Sequence, residues 1–582
     1  MKKHPLVLLL FALTVLFQVL VISRWAFLYF VLRVLFLVLV AGVIYTVIKA
    51  PPRTRRLLLL GLAVVILIRL PFLLHPTGLI TTSDNATDGL QCLEIRDTHT
   101  APVFLLDAIK HMGTVKYMFG AMTMDFIGPS YLACLLVQLA LFLATLFLLY
   151  EALREAFDKG ALAWLLILNF AFVETAFDYS LSIRAGSQME MLFYFALGAA
   201  LFDFEFRDKG RLWLALYFLF FSIYLHPLSA VLVAAFLAVA ALRAVAARRV
   251  PAAVAGTAGA LVAGLWHWFV YLLFLPKPVS EGAWEKIPLR PLGQLSLRVL
   301  LNVWRPCWQA FSNLFRFEFS YLAGIQSQDL ALRLAQPVSA LALYAGLAAF
   351  AAATVLAAIR VVGWLRKRAT LDARTTWALI HLVLLAAFVI KTLMVDPPLL
   401  EPRHNFDLLF LVILSVAAVA AAIAKAGRGL VWKAAAATVL LVIFTFPHYL
   451  TYLRNARHKA VSYAELMTVL EEEKVKALAS DFIIIYPVYF LSGRRILVSD
   501  TIGPFWVRNF YPEMRRTVDS LPLERQAFVF YADDYPRRDW HVKATHVIKA
   551  RLLERLEKAG FAARTRRMKD FVLILPVRKP RH

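Results

Sequence analysis

Apolar residues in this chain come in unbroken blocks rather than in strict alternation or narrow stripes. Blocks of about 20 residues, the length a helix needs to cross hydrocarbon, recur near 5–22, 26–48, 56–75, 128–150, 160–178, 189–205, 211–225, 227–243, 251–275, 336–359, 377–395, 405–424 and 430–450. They predict a polytopic α-helical membrane protein of about thirteen spans, since a transmembrane barrel would show short alternating segments instead. Pro227, inside "YLHPLSA", leaves open whether the two blocks around it form one kinked helix or two helices. The first block follows Lys2 and Lys3 and looks at first like a signal peptide. It is long for one, no small-residue cleavage site follows, and a second block begins at once, so a retained anchor is expected.

After residue 451 the pattern changes. "YAELMTVLEEEKVKALA" has helical periodicity, and "VIKARLLERLEKAG" reads as an amphipathic helix stopped by Gly560. "SDFIIIYP", "RILVSD", "QAFVFYADD" and "DFVLILPV" read as strands. Together they predict a small extramembrane α/β domain of about 125 residues, large enough for its own core. Residues 276–335 include "LRVLLNVWRPCWQAFSNLFRFEF", which mixes Trp, Phe, Leu and Arg at near-helical spacing and suits a helix lying along the membrane interface. The expected organisation is two leading helices (1–55), a transmembrane unit (56–450) with outer loops 76–127 and 276–335, and an extramembrane domain (451–582).

Composition agrees: 61% of residues are hydrophobic, and the mean hydropathy is +0.69. The formal charge of +25 would suggest nucleic acid on a soluble protein. Here nucleic acid is not expected, because the basic residues fall in alternate loops and suit anionic membrane lipid. With the N-terminus cytoplasmic, one set of loops holds Lys49, Arg53, Arg55, Arg56, Arg154, Lys159, Arg207, Lys209, Arg211, Arg243, Arg248, Arg249, Arg366, Lys367, Arg368, Arg374, Lys425 and Arg428. The short opposite loops hold little beyond Arg24, Arg184 and Arg403. This places loops 76–127 and 276–335, and everything after 451, outside the cytoplasm. Of the three cysteines, Cys92 and Cys307 both fall on the outer side, where a disulfide between them is one option.

The candidate chemistry lies in the first outer loop. "SDNATDGLQCLEI" carries Asp84, Asp88 and Glu94 just where the chain leaves a span. The same residues also fit a solvated acidic loop with helix caps at Ser83 and Asp84. Asn85–Thr87 forms a glycosylation tripeptide, a pattern common by chance. His226 beside Pro227 suits an interfacial histidine or a ligand, and His267 in "WHWF" suits an aromatic belt. No metal-ligand spacing is present, and dependence on a divalent cation stays open.

An Asp just after a span, "GL" behind it, then "EI", "PVF" and "MGTVKYMFGA", resembles the first outer loop of the GT-C glycosyltransferases. The likeness is to the bacterial branch related to protein O-mannosyltransferases and lipid A aminoarabinose transferases. "YSLSIRAGSQMEMLFYFAL", "LHPLSAVLV", "EPRHNFDLLFLVIL" and "IYPVYFLSGRRILVSD" resemble later segments of the family in the same order, over residues 56–520. Many members have Asp-Glu where this chain has Asp84-Asn85, and 404–407 read His-Asn-Phe-Asp rather than Tyr-Leu-Leu-Pro. The resemblance implies an inverting sugar transfer, on the outer side of a bacterial inner membrane, from a polyprenyl-phosphate donor to a lipid, glycan or protein acceptor. It implies Asp84 as general base, with Asp88 and Glu94 positioning acceptor or sugar. Arg403 and Arg184 are the candidates for the leaving phosphate, with Lys110, Lys116 and His111 as alternatives. Two other classes share the outward arginines. A lipid-linked sugar flippase would place charges near the bilayer midplane, and a glycan polymerase or ligase would not call for an Asp-led first loop.

Overall fold

The long apolar blocks become helices in the computed structural model. It describes residues 5–23, 25–49, 52–79, 83–100, 115–157, 181, 186–226, 229–273, 297–313, 330–367, 372–395, 408, 411–412, 415, 449–450, 453–454, 456–500, 512–533 and 540–580. Helices α1 (Pro5–Ser23), α2 (Ala26–Lys49), α3 (Pro52–Leu73), α4 (Ser83–Thr98), α5 (Val115–Ile127) and α6 (Tyr131–Phe157) open the chain. There follow α7 (Gly186–Leu201), α8 (Lys209–Leu225), α9 (Ser229–Ala246), α10 (Val250–Leu273), α11 (Leu297–Asn302), α12 (Trp304–Asn313), α13 (Leu330–Lys367) and α14 (Ala373–Met394). Six helices among the described residues are long and apolar enough to cross a membrane: α1, α2, α9 and α14, with the greater part of α6 and the second half of α13. The expected span at 160–178, and most of those at 405–424 and 430–450, lie outside the described residues.

Several boundaries differ from expectation for local reasons. The block at 189–205 ends as a helix at Leu201, because the Asp203 carboxylate accepts the backbone N–H groups of Glu205, Arg207 and Asp208 and folds the chain into a turn. The next helix starts on Asp208, whose side chain accepts the N–H of Arg211. The chain breaks at His226, which is extended (φ −151°, ψ 112°), so α8 and α9 are two helices. Helix α13 begins at Leu330, inside the expected outer loop, and at 38 residues runs about 57 Å, well past a hydrocarbon core of about 30 Å.

The two leading helices are packed into the bundle. Buried Thr14 lies 2.9 Å from the Tyr217 hydroxyl, and Phe11 meets the rings of Trp213 and Tyr217 edge-on. Buried Gln18 bonds the His267 Nδ1 at 2.9 Å and accepts the Trp266 indole N–H at 2.7 Å. His267 is therefore an interior residue among Tyr217, Phe221 and Tyr224 rather than part of a surface belt. Helix α2 reaches α5, where Tyr29 donates to Asp125 at 2.9 Å, Arg33 pairs with Asp125 at 3.5 Å and Phe36 stacks on Phe119.

The C-terminal domain contains α15 (456–472), α16 (Phe482–Leu491), α17 (Pro512–Ser520) and α18 (Trp540–Lys558). Its strands are β1 (Ala477–Ala479), β2 (Leu497–Ser499), β3 (Ala527–Tyr531), β4 (Phe561–Arg567) and β5 (Phe571–Arg578), in spatial order β2-β1-β3-β5-β4. The first three are mutually parallel, and β5 and β4 are antiparallel. Two expectations fail here. "SDFIIIYP" is helical: Asp481 caps α16 by accepting the Ile483 N–H at 2.9 Å. An apolar run of that length does not by itself separate a strand from a buried helix. "KALA" is not the end of α15 but strand β1, because Lys474 (φ 51°) turns the chain and the parallel neighbours β2 and β3 supply its hydrogen bonds. Strand β4 was not expected. It is a largely exposed edge strand, and its register with β5 comes from the tight turn between them. Leu552 and Leu556 of α18 cover Phe528, Phe530 and Ile574 on one face of the sheet. On the other side, α16 joins a core continuous with the transmembrane helices.

Candidate functional site

The loop expected on the outer side is folded around α4. Its composition, with Asp, Asn, Thr and Gly, makes a poor isolated helix, and its stability comes from burial. Asn85, Ala86, Thr87, Asp88, Leu90, Gln91, Cys92, Leu93 and Ile95 are all buried. Asn85 donates to the Leu79 carbonyl at 2.8 Å, tying the start of α4 to the end of the preceding span. The helix stops at His99, which takes φ 55°. Helix α5 packs close because Gly120 leaves space for Cys92: a Cβ at 120 would sit 2.6 Å from the Cys92 sulfur. Cys92 consequently faces Cys134, with the two sulfurs 3.5 Å apart and both thiols free. Cys307 lies elsewhere, near Thr392, so the structure does not pair it with Cys92.

Between α4, α5 and α7 lies a buried polar cluster. The Tyr117 hydroxyl donates to Asp88 Oδ1 at 2.6 Å, and the Lys116 ammonium lies 3.6 Å from Asp88 Oδ2. Glu190 of α7 accepts the Lys116 backbone N–H at 3.2 Å. The Lys116 ammonium also lies 4.5 Å from the centre of the Tyr117 ring. Burial pushes the Asp88 pKa up, while the Lys116 charge and the Tyr117 hydrogen bond act against that shift. Burial, followed by the Asp88 charge, raises the Tyr117 hydroxyl well above its ordinary value. Among the described residues, Asp88 Oδ2, Glu190 Oε2 and the Tyr194 hydroxyl are buried with no hydrogen-bond partner, Asp88 Oδ2 facing the Lys116 ammonium at 3.6 Å. Buried polar atoms are normally satisfied, so this cluster has hydrogen-bonding capacity for a polar guest.

The structure brings Asp88 and Lys116 together and separates Glu94 from them. Glu94 is half-buried on another face of α4. Burial raises its pKa, and the Arg494 charge from the C-terminal domain opposes the rise. Asp84 stands on α4 one turn before Asp88, and its side chain lies outside the described residues. Lys110, His111, Arg184 and Arg403 also lie outside them. His226 is buried at the end of α8, where its carbonyl accepts the Ser229 N–H at 2.9 Å. Among the described residues no three His, Cys, Asp or Glu side chains gather as a metal site.

Sequence reasoning missed Tyr117, Glu190, Tyr194 and Arg69 as candidates. Arg69 is wholly buried near the C-terminal end of α3, with its guanidinium 4.8 Å from the centre of the Phe142 ring and one N–H directed at the Val65 carbonyl. Arg69 and Glu190 each place an ionisable side chain inside an apolar block, which is a legible signal of function in a membrane protein.

Among solved structures, the chain is similar to the crystal structure of ArnT from Cupriavidus metallidurans bound to undecaprenyl phosphate, with a TM-score of 0.48 and 10% identity over 89% of this chain and 97% of that one. It is similar to the same protein in the apo state, with a TM-score of 0.43 and 12% identity over the same shares. No protein-family model and no curated protein matches. The functional reading therefore rests on this chain's own residues.

Proposed function

We propose that this protein is an inverting GT-C-type glycosyltransferase that moves a sugar from a polyprenyl-phosphate donor to an acceptor at the outer face of the bacterial inner membrane. The observation that carries the reading is the buried cluster under the first outer loop. A sugar phosphate presents hydroxyl donors beside an anion, and the cluster offers buried carboxylate and phenol oxygens beside an ammonium. The order of the motifs along the chain supports the same reading.

In this mechanism Asp84, one helical turn from Asp88, takes the proton of the acceptor hydroxyl or amine. The acceptor's lone pair forms a bond to the anomeric carbon while the carbon–oxygen bond to phosphate breaks. The electron pair leaves on phosphate, and the anomeric centre inverts. Lys116, ion-paired with Asp88, serves the phosphate together with Arg184 and Arg403, while Glu190 and Tyr194 take sugar hydroxyls. The acceptor's class remains a lipid, a glycan or a protein. Membrane lipids surround the spans, and nucleic acid has no part.

Purified protein incubated with a polyprenyl-phosphate sugar and candidate acceptors tests the reading. Released polyprenyl phosphate and an inverted glycoside are expected. Asp84→Asn should retain donor binding while turnover falls roughly 10²–10⁴-fold, the range for a lost general base. Movement of intact donor across vesicles without phosphate release would favour a flippase instead.

A further inference from the structure

We propose that the C-terminal domain is a clamp on α4, with Phe490 and Arg494 acting as positioning residues for the carboxylates that helix carries. The inference rests on the glycosyltransferase reading for its catalytic consequence, but not for the clamp itself. Helix α4 cannot support itself as an isolated 16-residue segment of this composition. The bundle covers one side through α5 and α6. The other side is covered by α16.

Four contacts make this second side specific. Gly89 leaves a slot for Phe490: a Cβ there would stand 2.7 Å from the Phe490 ring. The same ring meets Tyr131, at the start of α6, edge-on at 6.3 Å, so Phe490 wedges between the loop helix and a span. Arg494 makes an ion pair with Asp97 in the last turn of α4, and its charge also acts on Glu94. At the approach to α4, Gly78 lies directly against the backbone of Ala456 at the start of α15.

Arg494 is a shaped contact rather than a chance surface pair. Gly493 (φ 60°) and Arg494 (φ 66°) take successive left-handed conformations after α16, with the Arg494 N–H bonded to the Tyr489 carbonyl at 2.9 Å. A non-glycine residue in that region is disfavoured, and here the turn delivers its guanidinium to α4. Glu94 and Asp97 thus belong to the domain contact, whereas Asp88 faces the polar cluster.

Hydrogen exchange on the full-length protein in detergent tests the clamp without any assay of activity. Arg494→Glu and Phe490→Ala should each speed exchange in 83–98 tenfold or more while β3 and β5 keep wild-type protection. The Asp97→Arg/Arg494→Asp exchange of charges should restore protection. Unchanged exchange in 83–98 in both single variants would overturn the proposal. In the transfer assay the same variants should lower kcat at least tenfold with donor KM within twofold, and the charge exchange should recover kcat. Loosened α4 with wild-type kcat would overturn the positioning role. A wild-type protein that releases no polyprenyl phosphate would sink the glycosyltransferase reading, and the exchange data would still decide the clamp.

Discussion

At the scale of single residues, Lys116 and Asp88 are interdependent because both are buried. The ammonium and carboxylate are taken from water together and offset each other's desolvation. Lys116→Met leaves Asp88 without that counter-charge and should destabilise the protein by about 3–5 kcal/mol. The Asp88→Asn/Lys116→Met pair should recover part of the loss, as read by thermal melting in detergent. Asp500, at the end of β2, is a separate case. Burial raises its pKa to about 6, against the partial opposition of Arg515 at 3.7 Å. A carboxyl raised in the folded state binds more protons there than in the unfolded chain between the two pKa values. Its contribution to stability is therefore full below the unfolded value and is lost as pH rises through about 6. Relative to Asp500→Asn, the wild-type protein should lose on the order of 3 kcal/mol between pH 4 and pH 8. Denaturant midpoints of both proteins across that range check it, and an unchanged difference would refute it.

At the scale of elements, glycines set how closely helices and domains approach. Gly120 lets α5 reach Cys92, and Gly78 lets the turn after α3 meet α15. The Gly78 contact is the less forgiving. A Cβ there would lie 1.8 Å from the Ala456 carbonyl oxygen, and a backbone atom cannot rotate away. Gly78→Ala should therefore displace α15 and cost more than a typical single substitution, beyond about 3 kcal/mol. A yield of folded protein and a melting temperature equal to wild type would contradict this. The "SDFIIIYP" segment carried a readable cue that was outweighed by its apolar run. Asp481 is a good helix cap, and Pro487 is poorly placed in a central strand.

At the scale of the whole molecule, α4 and the C-terminal domain share one side of the bundle, because α16 packs on α4 and Arg494 pairs with Asp97. The Lys and Arg distribution predicts that this side is extracytoplasmic. A reporter that works only outside the cytoplasm should be active when fused after His582 and silent when fused before Met1. Activity in the reverse pattern would invert the topology and remove the proposed site from the face where the donor is presented.

The sequence by itself determined what depends on local pattern. Block length specified the helices and their membrane setting. The change of composition after 451 pointed to a second domain, and the motif order pointed to the first outer loop, with Asp84, Asp88 and Glu94 as its expected carboxylates. These properties follow from side-chain polarity and spacing along the chain, which fold little of their information into distance. Tertiary structure alone decided the rest. It turned Asp88 toward Lys116 and Glu94 toward Arg494, although both acids lie on one helix. It drew Glu190 from α7 and Tyr117 from α5 into the same buried cluster, paired Gln18 with His267 across the bundle, and made "KALA" a central strand. Each of these depends on groups far apart in the chain. Burial makes the pairing compulsory, because a polar group removed from water must find its partner in whatever the fold brings beside it.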